Sequence, residues 1–330
     1  MIKPPRLSPA RPARPGLFRR TPPAVFPAIL GLLGLGVAWR RGASAFGIPE
    51  AAVEVYLGAA SLIFVFSAVA YGVKVMFRPG VVAEDFRVLP GRAGLAAFSM
   101  SVMLMALVLA PYAPGVARAV LLAGLVLHTG LAAAVLVALV AGPPEGRMVT
   151  PVLHLSFVGF IVGAVAAVPL GMTLLAVAIQ WFCLLATLAV WALTLGPLLR
   201  GATPPPLRPL HAIHLAPAAL IATSGYLTTN VALGNAAALV AVALFVILIA
   251  RARWITVAGF SGFWGAFTFP LTAFAGMLFL TAGTWGSETL RSLAGLALIL
   301  ATLAVPPIVF GVLRLWARGT LAEKTNAAIA

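Results

Sequence analysis

Apolar residues run along this chain in long, almost uncharged blocks, separated by short polar or basic breaks. Ten such blocks cover about residues 24–39, 51–73, 93–113, 117–141, 151–171, 172–199, 209–228, 233–250, 254–281 and 292–313. Most reach the roughly 20 residues that a helix needs to cross about 30 Å of hydrocarbon. Paired through their short connections, they predict five helical hairpins in an all-α integral membrane protein. The membrane domain is expected over 24–316. Residues 1–23 hold six Lys or Arg among many prolines and predict a disordered, basic tail, with a second short tail at 317–330.

Composition agrees. The chain is 62% hydrophobic and 9% charged, with a mean hydropathy of +1.09. A soluble protein of this size could not bury so much apolar surface. The net charge of +15 invites a nucleic-acid reading, but its distribution argues against one. If ten spans are correct, 18 of the 22 Lys and Arg fall on the side that carries both termini. Only Arg40, Arg41, Arg118 and Arg291 fall on the other. Such a bias predicts cytoplasmic termini and a bilayer as the partner surface. Trp39, Trp254, Trp285 and Trp316 mark block ends, as an interfacial belt requires. The sequence Ala43–Ser44–Ala45 after a short apolar run mimics a signal-peptide cleavage site, but Arg40 and Arg41 intervene. The single Cys183 excludes an intramolecular disulfide and reads as a buried small hydrophobe.

Helix breakers separate the blocks into two kinds. The odd blocks contain "VFPAILGLLGLG", "FVGFIVGAVAAVPLG", "HLAPAALIATSG" and "FTFPLTAFAG", and the third opens on "GRAGLAAFSMS". The even blocks are mostly plain runs of Ala, Leu, Val and Ile, although Pro306 and Pro307 interrupt the tenth. Freed backbone groups cannot face lipid, so broken helices belong inside the protein or beside water. The odd spans are therefore expected to line a pore, with kinks at Pro27, Gly31, position 162 in the Val162–Gly163 step, Pro217 and Pro270. No Asp, Glu, Lys or Arg lies in the central part of any block, and Glu54 and Arg118 read as interfacial. An uncharged conduit with basic mouths suits small inorganic or organic anions, drawn in by the field of the basic face.

Four histidines carry the competing readings. His211 and His214 lie i, i+3 apart, His154 begins the fifth block, and His128 lies in the fourth. Three of them neighbour basic breaks and read as interfacial, leaving His128 deep. His128 and His214 are the candidate ligands or pH sensors. Two alternatives follow: a proton-coupled carrier of C4-dicarboxylates or oxyanions that depends on His128 or Glu54, and a membrane haem protein. No Cys or carboxylate cluster accompanies the histidines to suggest a metal, no P-loop pattern occurs, and no cofactor or enzymatic activity is expected.

The first block "FPAILGLLGLGVAW", the seventh "LAPAALIATSGYL" and the ninth "GFWGAFTFPLTAFA" together resemble the tellurite-resistance/dicarboxylate transporter family. That family includes bacterial TehA, fungal malate permeases and the slow anion channels of plant guard cells. The similarity spans about residues 22–316, and its most specific part is Trp264, Phe267, Thr268, Phe269, Pro270 and Thr272. The resemblance implies a homotrimer in a bacterial inner membrane, with a quasi-five-fold pore in each protomer. It also implies a phenylalanine plug at mid-membrane, matching Phe269, with Phe267 as the second candidate. With only about 23 and 14 residues flanking the blocks, the long regulatory termini of the plant members are not expected here.

Overall fold

The computed structural model describes residues 16, 18–143 and 147–330, so most of the basic tail lies outside the described residues. Thirteen α-helices follow in order, and the described residues contain no strand. They are α1 (Phe26–Phe46), α2 (Glu50–Phe77), α3 (Val81–Arg87), α4 (Leu89–Leu109), α5 (Pro114–Ala141), α6 (Phe160–Ala167) and α7 (Thr173–Arg200). They continue with α8 (Leu215–Leu227), α9 (Val231–Ala250), α10 (Ala252–Ile255), α11 (Gly265–Trp285), α12 (Glu288–Ala317) and α13 (Thr320–Lys324).

Among the described residues, nine helical runs are long and apolar enough to cross a membrane. The tenth, His154–Ala167, is shorter. It opens as a π-helix over His154–Val158 and ends in a turn at 168–171 that contains Pro169, which explains the lost length. The all-α membrane fold is borne out, and several boundaries move. The first span continues past Arg40 and Arg41 to Phe46, so Ala43–Ala45 lies inside α1. The ninth starts at Gly262 rather than 254, because α10 and a turn come first. The seventh enters as a ten-residue 3-10 helix, Pro205–His214, before α8.

Packing sorts the spans into two layers. The inner helices close a ring in which α1 packs on α4, α4 on α6, α6 on α8, α8 on α11 and α11 on α1. Each outer helix packs on its own hairpin partner: α2 on α1, α5 on α4, α7 on α6, α9 on α8 and α12 on α11. In the apolar stretches of the long inner spans 67–89% of residues are buried, against 22–33% in the outer five. The outer faces expose Val55, Leu62, Val126, Leu174, Leu239 and Leu303, an apolar surface suited to acyl chains.

The tightest crossing is α1 against α11. A Cβ at Gly31 would run into Thr268, and one at Gly34 would come 2.6 Å from Thr272 Oγ1 and 2.9 Å from the Phe269 ring. Small residues one turn apart let two membrane helices approach closely. Thr268 Oγ1 then donates to Pro27 O across the crossing at 3.0 Å. Three expected kinks are corrected here. Pro27 sits in the first turn of α1, where proline is tolerated because its missing N–H has no partner. Gly31 is a packing contact within a regular helix. Position 162 is the buried Val162, and the glycine beside it, Gly163, fits against Leu125 and Met103.

Residues that read as polar connections form a buried knot at the face that carries both described ends of the chain. Lys74 Nζ donates to Asp85 at 2.7 Å and to Thr21 O at 3.0 Å, and both side chains of the pair are fully buried. Tyr71 donates to the same carboxylate, and the Ala328 N–H donates to its other oxygen. Removing one partner of a buried pair leaves the other charge unmatched and costs about 3–5 kcal/mol. Asp85→Ala is expected to lower the thermal unfolding midpoint in detergent more than the double change Lys74→Met with Asp85→Leu, which leaves no orphaned charge.

Candidate functional site: a divided axial conduit

Two cavities lie inside the ring, and all five inner spans line each of them. The near cavity meets Pro27 and Leu30 of α1, Ala93 of α4, His154, and Ala216 of α8. The far cavity meets Gly34 and Ala38 of α1, Leu104 of α4, Val165 of α6, and Thr223 of α8. On every inner span the far-cavity residues follow the near-cavity residues in sequence. The five inner spans therefore run parallel, and the cavities are successive levels of one axial conduit. Thr325, from the turn after α13, reaches the near cavity, marking it as the one on the face of the described chain ends.

Phe269 borders both cavities, and so does Leu220 of α8. Both are buried, Phe269 at 7% and Leu220 at 8% exposure, and each is shared by the linings of the two levels. The local chemistry of α11 accounts for where Phe269 stands. Pro270, inside the helix, cannot donate to the carbonyl four residues back. Thr268 and Thr272 flank it and donate to Gly265 O and Phe269 O at 2.8 and 2.9 Å, back-bonds that bend helices. Gly34 leaves the hollow in which the ring lies. Pro217, at the switch from 3-10 helix to α8, lines the near cavity with Pro270.

Phe267 borders neither cavity. It is part-buried and packs edge-on against Trp264 at 5.5 Å, on another side of α11. Leu220 was not singled out by the sequence reading, because its block is apolar throughout and no pattern marks which leucine faces the axis.

All four histidines are buried. His154 and His214 share a hydrogen bond at 3.2 Å between the fifth and seventh spans, and the His214 ring stacks on His211. His211 shares a hydrogen bond with Thr203 Oγ1 at 2.6 Å, and His128 Nδ1 shares one with Ser99 Oγ at 2.8 Å. Only His154 meets a cavity, the near one. Among the described residues no group of three or more His, Cys, Asp or Glu is arranged to hold a metal. Glu54 is half of an ion pair with Arg40 at 2.6 Å, and Arg118 donates to Leu170 O at the end of the fifth span. The expectation of an uncharged wall needs correction: the Arg41 side chain reaches the far cavity from the last turns of α1.

These features define a multi-pass helical membrane protein with five hairpins around an axial conduit. The model of the SLAC1 family, described as voltage-dependent anion channel, matches residues 20–313. The chain belongs to that family, which makes it an integral membrane protein of an anion-channel and transporter class. No curated relative matches the chain.

The partition is open to a direct chemical check. In a Cys183→Ala background, Ala216→Cys should react with a membrane-impermeant thiol reagent added on the near face only. Ala273→Cys, which faces the far cavity, should react only from the opposite face. Equal labelling of both positions from either side would mean that the conduit is not divided.

Proposed function

We propose that this protein conducts small inorganic anions passively along the ring axis, and that the Phe269 ring is its gate. The observation that carries the reading is that Phe269 stands, with Leu220, where the two cavities meet. An apolar constriction of this kind stops ions by sterics and by dewetting. The near cavity is almost wholly apolar, so an anion passing through it would be held only weakly. The described basic residues of the near face, including Arg78, Arg87, Arg208 and Arg251, support cytoplasmic termini and would raise the local anion concentration.

One observation favours a second reading, a proton-coupled carrier. His154 meets the near cavity and is hydrogen-bonded to His214, so a titratable pair stands beside the path. The two readings separate by driving force. A channel passes anions down their own gradient, and a coupled carrier follows an imposed pH gradient.

In planar bilayers, Phe269→Ala is expected to raise chloride and nitrate conductance at least about tenfold, equivalent to about 1.4 kcal/mol off the barrier. Phe267→Ala, altered beside Trp264, should leave conductance near the wild-type level. A Phe269→Ala protein that stays closed, or a Phe267→Ala protein that opens equally, would exclude Phe269 as the gate.

A further inference from the structure

Two adjacent arginines near the end of α1 have different surroundings. Arg40 is neutralised: its Nε and Nη2 donate to the Glu54 carboxylate at 2.6 and 2.8 Å, and Nη2 also donates to Val108 O at 3.1 Å. One residue further, the helix has turned by about 100°. There the Arg41 side chain points inward and borders the far cavity. Among the described residues it has no ion-pair, hydrogen-bond or ring partner. Of the two carboxylates nearest in the chain, Glu50 is exposed at the start of α2 and Glu54 is already held by Arg40. Space for the guanidinium comes from Gly276 on α11, where a Cβ would lie 2.9 Å from Arg41 Nη1.

A second observation points to the same place from the other side of the ring. Thr223 of α8 is 1% exposed and lines the far cavity, and its Oγ1 has no hydrogen-bond partner. A buried hydroxyl left unmatched costs free energy unless something binds it. No Asp or Glu lines this cavity, and apart from Arg41, Thr223 and Thr272 its walls are apolar or glycine. Thr272 already donates to Phe269 O. What remains is a five-donor cation and one free hydroxyl, a set that suits an acceptor-rich anion.

We propose that Arg41 and Thr223 form a binding site for one small monovalent anion, of the nitrate or chloride class, on the far side of Phe269. One guanidinium balances one negative charge, whereas a dianion would leave a charge uncompensated among apolar walls. The site's role in permeation rests on the conduction reading: it holds an anion beside the gate, loosely enough to release it. Its existence does not rest on that reading.

The test is a nitrate titration of the full-length protein in detergent, with gluconate keeping the ionic strength constant and the thermal unfolding midpoint as readout. The wild type should show a saturable rise of the midpoint. Arg41→Gln should weaken the apparent nitrate affinity about tenfold or more, the scale of a hydrogen bond to a charged group. Thr223→Val should weaken it about threefold, the scale of a neutral hydrogen bond. Arg41→Lys, which keeps the charge, should retain most of the affinity. A wild type without saturable nitrate dependence, or an Arg41→Gln protein with unchanged affinity, overturns the site. Should Arg41→Gln not fold, unchanged affinity in Thr223→Val overturns it instead. No current is needed, so a gate that proves to lie elsewhere leaves this result intact.

Discussion

The close crossing of α1 on α11 is the contact on which the rest of the structure depends. Gly31 and Gly34 have no side chains, so α11 comes near enough for Thr268 to bond the Pro27 carbonyl and for the Phe269 ring to lie in the hollow left at Gly34. The same crossing closes the five-membered ring, since α11 also packs on α8 and α1 on α4. Without that closure the carbonyl left without an intrahelical donor by Pro270 would face lipid, which supplies no hydrogen bonds. One packing contact thus shelters a weakened helix and places the ring that borders both cavities.

The two layers follow from the same constraint. Inner spans contain a π-helix, 3-10 entries and prolines, and they lie where neighbouring protein covers them. Outer spans are regular, long and exposed, and their intrahelical bonds leave little backbone for lipid to meet. Two outer helices depart from this rule: α7 holds Pro197 near its end, and α12 holds the pair Pro306 and Pro307. The structure shows no separate compensation for that pair.

Much of this organisation was legible in the sequence, because the bilayer imposes simple demands. Length and apolarity marked the spans, and the concentration of Pro and Gly in odd blocks marked the layer that came out buried. The ring bordering both cavities, Phe269, was singled out by the family resemblance carried on Trp264 to Thr272, with Phe267 as the second candidate. What escaped the reading depends on direction and on partners distant in sequence. Arg41 looked like one half of a basic break, since charged residues end an apolar block, but the helix runs on and its pitch turns the side chain inward. The histidines looked interfacial because their sequence neighbours are basic, yet the His154–His214 contact spans 60 residues. Lys74 and Asp85 lie outside the apolar blocks and yet are a sealed pair, because the residues after α13 fold over them. Neither rotation about a helix axis nor contact between spans is written in hydropathy.

The central claim is that the bulk of one side chain at position 269 sets the resistance of the conduit. Its most direct test is unitary anion conductance along the series Phe269, Phe269→Leu, Phe269→Val and Phe269→Ala in the same bilayer. The account predicts that conductance rises stepwise as the side chain shrinks, with nitrate and chloride following the same order. A conductance that stays flat across the series, in proteins that fold and insert normally, would contradict it.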